Sequence, residues 1–101
     1  MSDQIPDGWT TDGDAITRTY ATDGWPTTLM AVNAIGFLYE AANHHADLAV
    51  SWGSVGVTLS THSEGGVTGK DHALAAKIDE VVLWRPGAPL DGPAGEWVTP
   101  G

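Results

Sequence analysis

The chain has 101 residues, enough for one domain with a modest core, since folding at this size buries roughly 60–68% of the unfolded chain's surface. A hydrophobic fraction of 42% suits a globular protein, and the absence of cysteine excludes disulfides and thiolate metal sites while permitting a reducing compartment, so a cytoplasmic location is expected. With a formal charge of −9, and only Arg18, Lys70, Lys77 and Arg85 positive, the surface repels phosphate backbones and anionic bilayers, so neither nucleic acid nor membrane is an expected partner. No basic segment precedes an apolar stretch at the N-terminus, and no apolar run approaches the ~20 residues that span a bilayer.

In chain order, residues 1–8 read as a polar lead-in. Trp9 to Thr11 starts a strand, Asp12-Gly13 supplies a turn, and the alternation of Ile16, Arg18 and Tyr20 with Thr17 and Thr19 makes residues 9–22 a hairpin. Trp25-Pro26 opens a helix, because proline is tolerated in the first turn. Its apolar stripe is Leu29, Val32, Ile35 and Tyr39, widened by Met30, Ala34, Phe37, Leu38 and Ala41, and Asn43 with the histidines ends it. Residues 48–52 and 55–62 alternate as strands, with a bulge, bend or tight turn at Gly53-Ser54. Thr68, with Asp71 three residues later, has the form of a capping box opening a second helix, whose stripe is Leu74, Ala75, Ile78, Val81 and Val82. From Arg85 proline and glycine predict an irregular tail, partly pinned by Trp84 and Trp97. The expected fold is α+β: a four-stranded antiparallel sheet with two helices on one face, over residues 1–84, and a Pro/Gly-rich tail at 85–101. Trp9, Trp25 and Trp84 are expected in the core or an interface, and His72 in solvent.

Three of the four histidines, His44, His45 and His62, fall within one short window. Three readings stand side by side: chance, a metal site from Glu40, His44 and His62, and metal-free acid–base catalysis. Zinc ligands are commonly spaced two to five residues apart, unlike an adjacent pair. Imidazole titrates near neutrality, so one ring can donate a proton while another accepts one if their environments differ. Glu40 lies one turn before His44 and can orient an imidazole or bind a substrate N–H.

Glu40, the pair His44-His45, Trp52, Thr61-His62 and Asp71 after the loop Gly65-Gly66-Val67-Thr68 together resemble the signature of the pterin-4a-carbinolamine dehydratases, with no gap. The resemblance covers about residues 9–84. It departs at Ala46, where the family usually has proline, and at Leu48, where members often carry an aromatic side chain. What it implies is dehydration of a 4a-hydroxytetrahydropterin to the quinonoid dihydropterin, the step that regenerates tetrahydrobiopterin, without metal or organic cofactor. His44, His45 and His62 would divide the proton transfers. Glu40, Asn43, Trp52, Thr61 and Asp71 would bind substrate or position these rings, with Asp71 also read as a helix cap. The resemblance implies a homodimer or homotetramer. It also carries an alternative, a non-catalytic interaction protein acting as a transcription dimerisation cofactor or a Rubisco assembly factor.

Overall fold

The structure, a computed structural model, describes residues 5–84, 91 and 98–100. Strands β1 (Thr10–Asp12) and β2 (Ala15–Thr22) form the first hairpin, followed by α1 (Trp25–Ala42), β3 (Asp47–Ser51), β4 (Ser54–Leu59), α2 (Gly69–Val82) and a short β5 (Val98–Thr99). The sheet runs β1-β2-β4-β3, all antiparallel, and β5 pairs with Ala21 and Thr22 of β2. The α+β class expected from sequence is observed, with β5 as a fifth strand. It lies within the stretch expected to be irregular. Two residues amid proline and glycine carry no alternation from which a strand could be read. Apart from Asp91 and Pro100, the tail's other positions, Arg85 and Trp97 among them, lie outside the described residues.

Strand alternation decides which side carries the core. Ile16 and Tyr20 of β2 and Val55, Val57 and Leu59 of β4 are fully buried, and Ile35 of α1 with Leu74, Ala75 and Ile78 of α2 close over them. The opposite sheet face presents small and polar residues: Thr17 lies beside Thr58 and Thr19 beside Gly56. Both hairpin turns have two residues. Asp12 pairs with Ala15, so the first turn is Gly13-Asp14, one place later than the sequence reading. Gly13 takes φ 60 there, a left-handed value that favours glycine. Ser51 pairs with Ser54, so the second is a tight turn at Trp52-Gly53.

Helix α1 departs from its expected packing. Its buried residues are Thr27, Thr28, Ala31 and Ile35, while Leu29, Met30 and Phe37 are exposed, Phe37 by 72%. Apolar residues surround the helix, and the sheet and α2 can cover only part of its circumference. Thr28 fastens its start, its single hydroxyl proton within reach of the carbonyls of Gly24 at 3.0 Å and Trp52 at 2.8 Å. In α2, Val81 is likewise 42% exposed although it was expected in the stripe.

At the far side of the core a second polar cluster ties β2 to α2. Trp9 Nε1 donates to Asp79 at 3.0 Å, Arg18 Nη1 donates to the same carboxylate at 3.2 Å, and the Tyr20 hydroxyl donates to it as well. The Arg18 guanidinium also lies over the Tyr20 ring, 5.2 Å from its centroid. Burial, then the bond to Asp79 and its charge, push the Tyr20 phenol well above its ordinary value, against the opposing pull of Arg18. Trp9 is thus a core residue, whereas Trp25 and Trp84 are more than two-fifths exposed.

Candidate active site

Helix α1 ends abruptly. Asn43 adopts the left-handed conformation (φ 52, ψ 44), and its backbone N–H donates to Glu40. Asparagine tolerates this conformation, which turns the chain out of the helix before the histidines begin. The next N–H, that of His44, returns to the carbonyl of Tyr39 at 3.0 Å. His44 therefore lies outside the helix, and the geometry expected between Glu40 and His44 is not formed. Glu40 instead pairs with His45, Oε2 to Nε2 at 2.6 Å, with both side chains more than three-fifths exposed. The His45 ring tilts against Tyr39, their centroids 5.2 Å apart.

His44 meets a different partner. Its Nε2 is 2.6 Å from Asp71 Oδ1, and Asp71 is fully buried at the start of α2. The other carboxylate oxygen accepts from Thr61 Oγ1 at 2.7 Å and from the Thr68 backbone N–H at 2.9 Å. The capping box inferred from sequence is present, and the same carboxylate holds the imidazole. Asp71 thus both completes the cap of α2 and contacts the His44 ring. Burial by itself would push its carboxyl up. The hydrogen bonds from His44, Thr61 and Thr68, with the charge of His44, outweigh that and hold it below its ordinary value of 3.8. An ionised carboxylate only accepts, so His44 Nε2 carries a proton toward Asp71 in either charge state, and in the neutral form the Nδ1 lone pair is left free of Asp71.

His62 does not end a strand, as the alternation suggested. β4 stops at Leu59, Thr61 makes an isolated bridge with Gly66, and His62 begins a short 3-10 turn to Glu64. The 61–66 loop closes on itself through Thr61 N–H to Gly66 at 2.8 Å and Gly65 N–H to His62 at 3.2 Å. His62 is exposed, with no side-chain hydrogen bond among the described residues.

His44, His45 and His62 line one cleft of about 340 Å³, in company with Asn43, Thr61, Asp47 and Lys70. That volume falls in the range of small-molecule pockets. Of the other expected residues, Asp71 lies behind His44 rather than in the wall, and Glu40 is reached only through His45. Trp52 is not brought in. It occupies the β3–β4 turn, while the cleft lies where β3 begins and β4 ends, some five strand residues or about 16 Å away. Its ring, 68% exposed, sits beside Gly24.

Lys70 escaped the sequence reading. The signal was available: it is one of four cations in a strongly acidic chain, and it immediately precedes Asp71. His72, expected in solvent, is half-buried, with Nδ1 buried and unbonded among the described residues. Among those residues no three His, Asp or Glu side chains converge to hold a metal ion, so the set Glu40, His44 and His62 does not assemble as ligands.

A two-layer α+β domain with a histidine-lined cleft at one end of its sheet is thus the class that fold and site define. A family model described as Pterin 4 alpha carbinolamine dehydratase matches residues 1–81, and the chain belongs to that family. A protein of Roseiflexus castenholzii provisionally named pterin-4-alpha-carbinolamine dehydratase is 45% identical over 75 residues, 74% of this chain and 81% of its own length. One from Aquifex aeolicus, named the same way, is 47% identical over 76 residues, 75% of this chain and 77% of its own. The crystal structure of a transcriptional coactivator/pterin dehydratase from Brucella melitensis superimposes with a TM-score of 0.70 at 35% identity, covering 75% of this chain and 83% of that one. A pterin dehydratase-like Rubisco assembly factor of the alpha-carboxysome shares the fold, with a TM-score of 0.61 at 17% identity over 73% of this chain and 86% of that one.

Proposed function

We propose that the chain is a hydro-lyase that dehydrates 4a-hydroxytetrahydropterins to quinonoid dihydropterins by histidine acid–base catalysis, as in tetrahydrobiopterin recycling. The observation that carries this is the convergence of three imidazoles on one cleft with three different surroundings. His44 is pinned by a buried carboxylate, His45 by an exposed one, and His62 has no side-chain partner among the described residues. Such differences let neighbouring rings hold opposite protonation roles.

Dehydration needs one proton removed from a ring nitrogen and one delivered to the 4a-hydroxyl. The freed electron pair forms the carbon–nitrogen double bond as the carbon–oxygen bond breaks and water leaves. His44 takes the ring proton on Nδ1. Asp71 then stabilises the imidazolium across the ring without itself accepting a proton. His45 or His62 supplies the proton to the departing hydroxyl. Asn43 lines the same cleft and offers its amide to the heterocycle, whereas the Thr61 hydroxyl is committed to Asp71. The reaction's own proton balance is closed by these side chains.

Stopped-flow mixing with a freshly generated 4a-hydroxytetrahydropterin tests the reading. The native protein should exceed the buffer rate, and His44→Gln should lose about 10²–10⁴-fold of it with unchanged circular dichroism. Folded protein that does no better than buffer would sink the proposal.

The chain is also proposed to work as a homodimer or homotetramer in the cytoplasm. The outer edge of β3 is unpaired among the described residues, and α1 leaves Leu29, Met30 and Phe37 uncovered. Among the described residues no helix is long and apolar enough to cross a membrane.

A further inference from the structure

A second cavity, of about 500 Å³, adjoins the histidine cleft. Asn43, His44 and Lys70 belong to the walls of both. Ala73 and Leu74 floor it on the α2 side, and Lys77, two turns along α2 from Lys70, lines it as well. Its wall contains no acidic residue, in a chain with 13 of them. It does contain two of the chain's four cations, whereas Arg18 is held against Asp79. The ammonium of Lys70 makes no ion pair or hydrogen bond among the described residues. Lys77 pairs with Glu80 at 2.9 Å, but both side chains are more than half exposed, so a better-placed anion can displace that partner at little cost.

We infer that this cavity is a subsite for an anionic substituent on the pterin's side chain, a carboxylate or a phosphate, held between Lys70 and Lys77. The inference rests on the dehydratase reading of the neighbouring cleft. The bicyclic ring occupies the space among the histidines, and a substituent passing His44 enters the second cavity. A neutral hydroxyalkyl chain would gain nothing from two ammonium groups. An anion there gains charge-assisted hydrogen bonds, and in a chain of net charge −9 a pocket wall with two ammonium groups and no carboxylate is suited to it.

The experiment compares kcat/KM for three carbinolamines that share a ring: one with a neutral hydroxyalkyl chain, one with its phosphate ester and one ending in a carboxylate. At low salt an anionic substrate should be favoured by about tenfold, expressed in KM, because the contact is the same in ground and transition states. The phosphate and carboxylate arms show which anion is taken. Lys70→Gln with Lys77→Gln should cut the anionic-to-neutral ratio about tenfold, and Lys70→Arg should restore most of it in the Lys77-intact protein. Salt at about 1 M, where the screening length is about 3 Å, should shrink the native ratio. A native ratio near one at low salt, or one unmoved by salt and by either substitution, overturns the subsite even if the neutral substrate is turned over well. The native ratio and its salt dependence decide the matter if the double variant does not fold. Folded native protein that turns over none of the three removes the dehydratase reading, and the subsite with it.

Discussion

Asp71 is the residue on which most of the site converges. It caps α2, accepts from Thr61, and fixes the ring of His44 from a fully buried position. Asp71→Ala removes the cap and leaves buried donors unpaired, and should cost about 2–4 kcal/mol in urea unfolding. The pH dependence has a definite sign. Because the folded carboxyl is held below its ordinary value of 3.8, the unfolded chain binds the proton more readily. This stabilisation is fully present above pH ~4 and is lost as pH falls through the folded value, so Asp71→Asn should flatten the acid limb of the stability curve. Tyr20 has the opposite sign. Its phenol is raised, so its contribution holds below pH ~10 and is lost only as alkali ionises it. Absorbance titration should show Tyr20 ionising together with unfolding, and an earlier, reversible step assigned by Tyr20→Phe would contradict this. The role of Asp71 was legible because a capping box has a spacing of three. The partner of Glu40 was not, because a step of four implies contact only while the helix lasts, and Asn43 ends it.

The elements themselves were largely readable. Alternation in β2 and β4, proline at the head of α1, and Thr68 before α2 each act within a few residues, where local chemistry decides conformation. What failed were statements about distance. Trp52 is seven residues from His45 in sequence, but a strand intervenes and carries it to the opposite end of the hairpin. Lys70 was hidden for the converse reason: only folding sets the first turn of α2 beside the end of α1. The cap at Thr68 gives a test confined to one element. Thr68→Ala should cost about 1 kcal/mol and fray the first turn of α2. Amide exchange should then quicken over residues 69–72, with β2 and β4 unchanged.

Among the described residues, the outer edge of β3 and the outer face of α1 are uncovered. Residues 47–51 contain no lysine or proline to discourage edge pairing. Sedimentation should therefore find a self-associated species, and Phe37→Glu or Val50→Pro, the latter at an N–H that faces away from β4, should yield a smaller one; a native protein that sediments as a monomer at all concentrations would refute this. Within each subunit, the carboxylate behind His44 has a further consequence. It is one node shared by a helix start and the histidine-lined wall of the cleft. If occupancy of the cleft firms up the opening of α2, thermodynamic reciprocity requires that loosening that opening weaken occupancy by the same factor. A ligand's grip on the cleft would then be readable from the breathing of the helix end that carries Lys70 and Asp71.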